Sequence, residues 1–415
     1  MYMENIKIFG HGIKNKSVAE RWKSRQWKDL ACLFIEDNKQ SENIKYLLEK
    51  YIDKVIDGIK ICMKELQIEE GKIYLSECYK DYFSELEKQG FKVILVHNKK
   101  DFEKEVFGET TLVHNAETML ALSRSLSEED YMPRKIVTIT GDVKNPGIYE
   151  IPFGRSLREI IDEYGNGTKC EKEIKFVQVG GNTGAVFTEE ELDTPFLYSN
   201  VMGNGTMLET AKIEAYNTDT CIVKWSFEKI LENSKETCGK CVYCREGIYQ
   251  LYRIIKDSTE GKGKDGDINL VFELCDTMKI GTLCDFGKSA SNPLYTAINK
   301  FRDEFEKHID RKICSTLSCI SYANYFIDPK LCNGCGQCIH CPQKAIKGGE
   351  NLIHVIDLDL CDKCGKCEEV CSAQAVKRYG TIKPQLPLEP VEVGSFNEGA
   401  SGEKKGLGLG RRRRK

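Results

Sequence analysis

At 415 residues, with 40% hydrophobic and 30% charged residues, the chain has the composition of a soluble globular protein of two to four compact units. A net charge of −3 provides no field to attract nucleic acid or an anionic membrane. No run approaches about 18 apolar residues and the first ten are too polar for a secretory signal, so neither direct membrane insertion nor export is predicted, and twenty cysteines then fit a reducing cytoplasm.

Residues 1–130 read as α/β. The run Leu30–Ile35 is a buried strand, and Leu47, Leu48, Tyr51, Val55, Ile56, Ile59 and Met63 recur at helical spacing within Ile44–Leu66. Lys72–Leu75 and Phe91–Val96 are strands around a helix Asp81–Gln89 that Gly90 stops. This alternation predicts a parallel sheet. A phosphate cradle would need a glycine-rich turn at a helix N-terminus, and Gly10-His-Gly12 is the sole candidate. Two glycines without a third are read as an ordinary turn.

Residues 134–204 change character. A hairpin, Lys135–Thr140 and Ile148–Ile151, turns at Asn145-Pro-Gly147. Ser156 and Glu159 form a capping box at the start of a helix to Tyr164, and Phe176–Val179 is a further strand. Hairpin, helix and strand in this order predict a β-grasp module. Residues 205–312 are predicted helical: stripes run through Ile248, Leu251 and Ile255, through Val271, Leu274 and Met278, and through Leu294, Ile298, Phe301, Phe305 and Ile309 as one helix with Pro293 at its first turn. From Lys383 to Lys415 composition predicts a disordered tail with a basic end.

Twelve cysteines fall into three sets. Cys238, Cys241 and Cys244 are followed by Cys284; Cys332, Cys335 and Cys338 by Cys341; Cys361, Cys364 and Cys367 by Cys371. A tight C-x2-C-x2-C loop plus a remote cysteine can surround a cubane iron–sulfur cluster. Zinc usually takes two separated C-x2-C pairs, and cysteines two residues apart do not readily form disulfides with one another. The second and third sets are an internal repeat over 328–380, in which Leu331–Cys338 matches Leu360–Cys367. In two-cluster ferredoxins the fourth cysteine of each motif ligates the other cluster, which assigns Cys371 to the second set and Cys341 to the third. Only two residues separate Cys338 from Cys341, and His340 stands as a substitute ligand. Lys240, Arg245 and Lys288 flank the first set, either as solvated surface or offsetting cluster charge; Cys314 and Cys319 are read as structural.

The stretches E-T-C-G-K-C-V-Y-C-R-E-G, G-T-L-C-D-F-G-K-S-A-S-N-P and F-R-D-E-F-E-K-H-I resemble the iron–sulfur region of the NADH-binding flavoprotein subunit of complex I and of the B subunit of electron-bifurcating hydrogenases. T-I-T-G-D-V-K-N-P-G-I-Y-E resembles that family's soluble-ligand-binding β-grasp (SLBB) domain. The resemblance implies that Cys238, Cys241, Cys244 and Cys284 ligate one 4Fe-4S cluster. The family's FMN loop, G-R-G-G-A-G-F-P-T-G-x-K-W, is reduced here to Gly10, Gly12 and Arg21-Trp22, and its G-E-E-T-A-L segment has no counterpart. Its N-N-V-E-T motif persists at 114–118, leaving Gly10, Gly12, Asn115 and Thr118 as degenerate flavin-type positions. In the ferredoxin repeat the family has three residues between the last two cysteines of the first motif, and Ser372 here replaces its usual proline.

The resulting expectation is a multidomain α/β and α+β chain: a shrunken α/β flavin-type domain at 1–130, a β-grasp domain at 134–204, a helical 4Fe-4S domain at 205–312, a two-cluster ferredoxin domain at 328–380 and the tail. Three 4Fe-4S clusters and no FMN are expected, with no complete catalytic site in this chain. The function implied is electron relay in a cytoplasmic complex of the hydrogenase, formate dehydrogenase or NADH dehydrogenase type. Its partners would be a thioredoxin-like iron–sulfur subunit and a catalytic oxidoreductase subunit. Two alternatives stand beside it: an FMN-containing NAD(P)H dehydrogenase with an altered flavin site, and a partner- or ligand-binding scaffold with structural metal.

Overall fold

A computed structural model describes residues 18–35, 42–97, 110–202 and 211–396. Gly10, Gly12, residues 36–41 and the basic terminus lie outside the described residues. The chain divides into two compact units: 1–255 with 266–302, and 256–265 with 303–415.

The first unit opens on a four-stranded, all-parallel sheet of β1 (Asp29–Phe34), β2 (Glu70–Ser76), β3 (Lys92–Val96) and β4 (Thr111–Asn115), in the order β3-β2-β1-β4. Strand periodicity divides β1 between two faces. Leu30, Cys32 and Phe34 share a core with the helices Asn43–Leu66 and Ala116–Ser127, while Ala31 joins Tyr74 and Val96 in a separate cluster. The two helices cross closely at Gly58, where a Cβ would sit 1.9 Å from the Met119 carbonyl oxygen. The helix predicted over 44–66 is kinked at Tyr51 (φ −136°), whose hydroxyl donates to Glu150 and whose ring lies 4.3 Å below the Arg124 guanidinium.

The second sheet is mixed. It holds β5 (Arg134–Gly141), β6 (Gly147–Pro152), β7 (Ile174–Val179), β8 (Ala185–Thr188) and β9 (Lys212–Asn217), ordered β6-β5-β9-β7-β8 with β9 parallel to β5. Both arms of the Ser156–Glu159 capping box form, at 3.1 and 2.7 Å. Glu150 joins the two sheet regions by accepting from Tyr46 (3.3 Å) and Arg124 (2.6 Å) as well as Tyr51.

Helices Ile222–Glu236, Val242–Thr259, Asp267–Gly281 and Asn292–Lys300 follow. The sheet edge is tied to the last of these. Val186 N–H donates to Thr296 Oγ1 at 3.0 Å, and Lys300 bridges Val186 O and Glu191 at 2.7 and 2.6 Å. The single helix predicted through Ile309 is two helices instead, broken at Phe301 (φ −124°, ψ 34°) before Arg302–Ile309. The break lets the Phe301 ring meet Phe176 edge-on at 5.9 Å, a contact invisible to periodicity.

The second unit is built from short antiparallel pairs: β10 (Asn324–Ile327) with β14 (Val376–Tyr379), β11 (Ile346–Lys347) with β13 (Val355–Ile356), and β12 (Leu352–Ile353) with β15 (Val391–Glu392). Cys332 and Cys338 belong to its small core with Tyr325, Ile327, Ile346 and Ile353. Residues 383–396 depart from the tail expectation. Val391 and Phe396 pack on this core and β15 closes on β12, so two apolar anchors outweigh the proline-rich composition.

The least forgiving polar contact of the first unit is Glu214, buried between Lys212 (3.0 Å) and Lys229 (2.9 Å). Burial by itself raises the Glu214 carboxyl, but Lys229 and Lys212 together hold it below the usual carboxylate range. Its contribution is therefore complete above about pH 4.3, the unfolded value, and is lost as the pH falls. Glu214→Gln removes the carboxylate shared by two buried lysines, leaving Lys229 only the longer pairing with Glu232 at 3.5 Å. It should cost about 3–5 kcal/mol at neutral pH, with the deficit against wild type shrinking in acid, as urea unfolding followed by circular dichroism would show.

Candidate iron–sulfur centres

The first cysteine set is assembled by helix ends. Cys238 and Cys241 lie in the turn between the helices Ile222–Glu236 and Val242–Thr259, and Cys244 is in the first turn of the latter. The turn passes through Gly239 at φ +74°, a conformation that favours glycine. Thr237 Oγ1 accepts from Gly239 N–H at 3.3 Å and lies 3.4 Å from Cys244 Sγ. Cys284 caps the short helix Asp285–Ser289, its sulfur accepting from Gly287 N–H at 3.4 Å. Burial pushes the Cys244 thiol up, and Cys284, Cys238 and Cys241 are close enough to add to the rise. Arg245 donates to Gly239 O at 2.9 Å and pairs with Glu246, so it braces the turn; Lys240 and Lys288 are exposed.

The second and third sets are two copies of one loop. Asp328 and Asp357 each accept, through their backbone oxygens, from Cys332 and Cys361 N–H (3.0 and 3.1 Å). Asn333 and Asp362 each accept, through their side chains, from the N–H of the next cysteine, Cys335 and Cys364 (3.2 and 3.1 Å). Gly336 and Gly365 repeat the same left-handed turn at +74° and +81°. The copies also brace each other. Asp328 N–H donates to Ala375 O and Asp357 N–H to Ala345 O, both at 2.7 Å.

This exchange interleaves the sulfurs. Cys332, Cys335, Cys338 and Cys371 line one void; Cys341, Cys361, Cys364 and Cys367 line the other. The missing residue before Cys341 is absorbed by a tighter turn. Gln337–Ile339 is a 3₁₀ turn where the other copy has the α-helical turn Lys366–Glu369. Cys341 and Cys371 then match, each carbonyl accepting at 2.9 Å from the residue three positions on, Lys344 and Gln374. His340 is exposed and lines neither void. Burial, with Cys332 beside it, pushes the Cys338 thiol to about 12; burial, with Cys361, pushes Cys367 to about 11. Ala375 N–H donates to Cys371 Sγ at 3.2 Å. Four sulfurs facing a small space, some receiving backbone N–H bonds, suit cubane clusters, which would take the thiolates and release their protons.

A further donor set escaped the sequence reading. His308, Cys314 and Cys319 are buried with their ligand atoms within 4.8 Å of one another. His308 Nδ1 lies 2.7 Å from Glu304 O, which leaves Nε2 facing Cys319 Sγ at 3.6 Å. An imidazole oriented by a carbonyl beside two thiols is a zinc-type arrangement. The spacing H-x5-C-x4-C was the available signal.

The flavin-type positions are placed differently. Asn115 caps the helix Ala116–Ser127, its Oδ1 accepting from Thr118 N–H (2.8 Å) and Oγ1 (2.6 Å). Glu117 accepts from Ile136 N–H at 2.6 Å and from Lys135. His114 is buried, pulled down to about 3 by burial and then by Arg21, and accepts from Trp22 Nε1 at 3.0 Å.

Residues 229–308, which include the first cysteine set, match the NADH-ubiquinone oxidoreductase-F iron–sulfur binding region. Residues 324–372, which include all eight remaining cysteines of the three sets, match the 4Fe-4S dicluster domain. The chain is 31% identical over 214 residues to the F subunit of the NADH-quinone oxidoreductase of Streptomyces coelicolor, covering 49% of this chain and 47% of that one. The chain is a homologue of the NADH-quinone oxidoreductase F subunits. It is equally a homologue of the NADP-reducing hydrogenase subunit HndC of Solidesulfovibrio fructosivorans, 33% identical over 221 residues, with 53% of this chain and 45% of HndC covered. The chain therefore spans about half the length of these two relatives. Its fold is similar to a chain of an NAD+-reducing NiFe-hydrogenase in the air-oxidised state, with TM-score 0.63, 18% identity, and 74% and 62% of the two chains covered. Both matched regions are iron–sulfur binding regions, and the two relatives named are subunits of oxidoreductases. Among the described residues no helix is long and apolar enough to cross a membrane.

The interleaving gives a direct test. Cys341→Ala and Cys364→Ala should each remove the same cluster, about four irons, and the double variant should remove no more than either alone. Iron and sulfide analysis of anaerobically purified variants would show this; loss of about eight irons in the double variant would separate the two cysteines.

Proposed function

We propose that this chain is an electron relay within a cytoplasmic multisubunit oxidoreductase, carrying three 4Fe-4S clusters and no complete catalytic site of its own. The observation that carries the proposal is the sorting of eight cysteines into two interleaved foursomes, beside a fourth-cysteine closure of the first set by Cys284. In this reading Cys238, Cys241, Cys244 and Cys284 hold one cluster. Cys332, Cys335, Cys338 and Cys371 hold the second, and Cys341, Cys361, Cys364 and Cys367 the third. The β-grasp spacer expected at 134–204 is taken to extend to 217, because β9 (Lys212–Asn217), which the sequence reading put in the helical region, pairs with β5 and β7. The iron and sulfide supply the one-electron chemistry; the protein supplies burial, N–H···S bonds and spacing.

FMN is left out of the proposal because Asn115, Thr118 and His114 are spent on a helix cap and a Trp22 contact that need no flavin. The rim of the first set is apolar and open: Val242 and Tyr243 are more than half exposed, and Ile280 and Leu283 nearly fully so. Such a patch suits docking of a partner subunit that exchanges electrons with this set. That role would be taken by a thioredoxin-like iron–sulfur subunit and by a catalytic subunit of the hydrogenase or formate dehydrogenase type. His308, Cys314 and Cys319 would take a structural divalent ion such as zinc.

Iron, sulfide and flavin should be measured on anaerobically purified, reconstituted full chain, followed by NADH. About twelve irons, no flavin and no bleaching by NADH are expected, with bleaching by dithionite. Stoichiometric FMN with NADH-driven bleaching would make the chain a dehydrogenase instead.

A further inference from the structure

One buried imidazole stands against a cysteine of the second set. His354 is 2% exposed, and its Nδ1 lies 3.7 Å from Cys332 Sγ. Its backbone sits between β12 and β13, each held by its own antiparallel partner, so the ring cannot drift with a loop. The opposite side of the ring is fitted to Gly348, where a Cβ would fall 1.9 Å from Cδ2. His354 Nε2 is buried and has no hydrogen-bond partner among the described residues. A proton on Nε2 would leave an unsatisfied buried donor, whereas a proton on Nδ1 points at sulfur. The neutral Nδ1–H form is therefore favoured. The third set has no such neighbour: Tyr325, Ile346 and Ile356 line its void, and no histidine does.

We propose that His354 is a positioning residue that donates its Nδ1–H to Cys332 and thereby sets the cluster of Cys332, Cys335, Cys338 and Cys371 at a higher reduction potential than its neighbour. This rests on the relay reading above. A hydrogen bond to a ligating sulfur stabilises the more negative, reduced cluster over the oxidised one, so it raises the potential. Two clusters held by near-identical loops are otherwise expected to be close in potential. This side-chain N–H, on the same set that receives the Ala375 N–H at Cys371, would give the pair a direction: an electron reaching the ferredoxin region would rest on the cluster beside His354.

The test is an anaerobic redox titration of reconstituted full chain, with each cluster followed by its electron paramagnetic resonance signal. His354→Leu should shift one ferredoxin-type signal to lower potential by about a tenfold change in its redox equilibrium, ~59 mV for a one-electron couple, leaving the other signals in place. His354→Asn, whose amide N–H stands near the Nδ1 position, should restore most of the shift. Gly348→Ala, which keeps the histidine but displaces its ring, should move the same signal in the same direction as leucine. Unchanged potentials in assembled His354→Leu, or an equal shift of every cluster, would overturn the assignment of His354. Loss of one cluster in all three variants would do so too, making the residue a requirement for assembly rather than for potential. Wild-type chain that binds no iron and sulfide would overturn the relay reading itself.

Discussion

Four sulfurs must meet at one point, and thiolates that meet repel. Burial and neighbouring sulfurs both push the Cys244, Cys338 and Cys367 thiols upward, so these three resist ionising until a metal takes them. The fold relieves the crowding with backbone amides. Gly287 N–H points at Cys284 and Ala375 N–H at Cys371, donors that survive when thiol becomes thiolate. Much of the local structure is explained by that need: the left-handed glycines, the Asx-type turns at Asn333 and Asp362, and the helix ends around Cys244 and Cys284 all bring amides or sulfurs to the same few places.

Spacing made the centres legible in the sequence because cluster ligation imposes short local distances. A C-x2-C-x2-C loop needs no knowledge of the rest of the chain. Long-range partners were harder. Cys284 could be linked to the first set through the helices that carry it, whereas His308 and His354 were not singled out, since each acts on a sulfur 11 or 22 residues away with no repeat to mark it. Helix periodicity failed at Phe301 for the same reason: the contact that breaks the helix is with Phe176, on a distant strand. Composition misjudged 383–396 because two apolar residues, Val391 and Phe396, suffice to anchor a segment that proline and glutamate otherwise mark as loose.

In the N-terminal α/β layer the positions that resemble a flavin motif are tied into the packing between sheets. Glu117 ties the Ala116–Ser127 helix to Lys135 and the Ile136 amide at the head of the second sheet. Tyr46, Tyr51 and Arg124 converge on Glu150 from the other side. With His114 beneath Trp22, the positions that resemble a flavin motif hold one sheet region against the next. Substitutions there are then felt as loosened packing between layers.

The two backbone hydrogen bonds that cross between Asp328 and Ala375, and between Asp357 and Ala345, carry a cost at the moment of synthesis. Neither half of the repeat contains its own closing sulfur or its own closing strand, so the first half leaves the ribosome with nothing to fold upon. Cluster delivery to either void would therefore have to wait until the second half of the repeat is present. Damage follows the same logic in reverse. Oxygen that stripped one such cubane would free sulfurs on both halves of the repeat at once, three on one and one on the other, so a local lesion would be felt on either side of the crossed bonds.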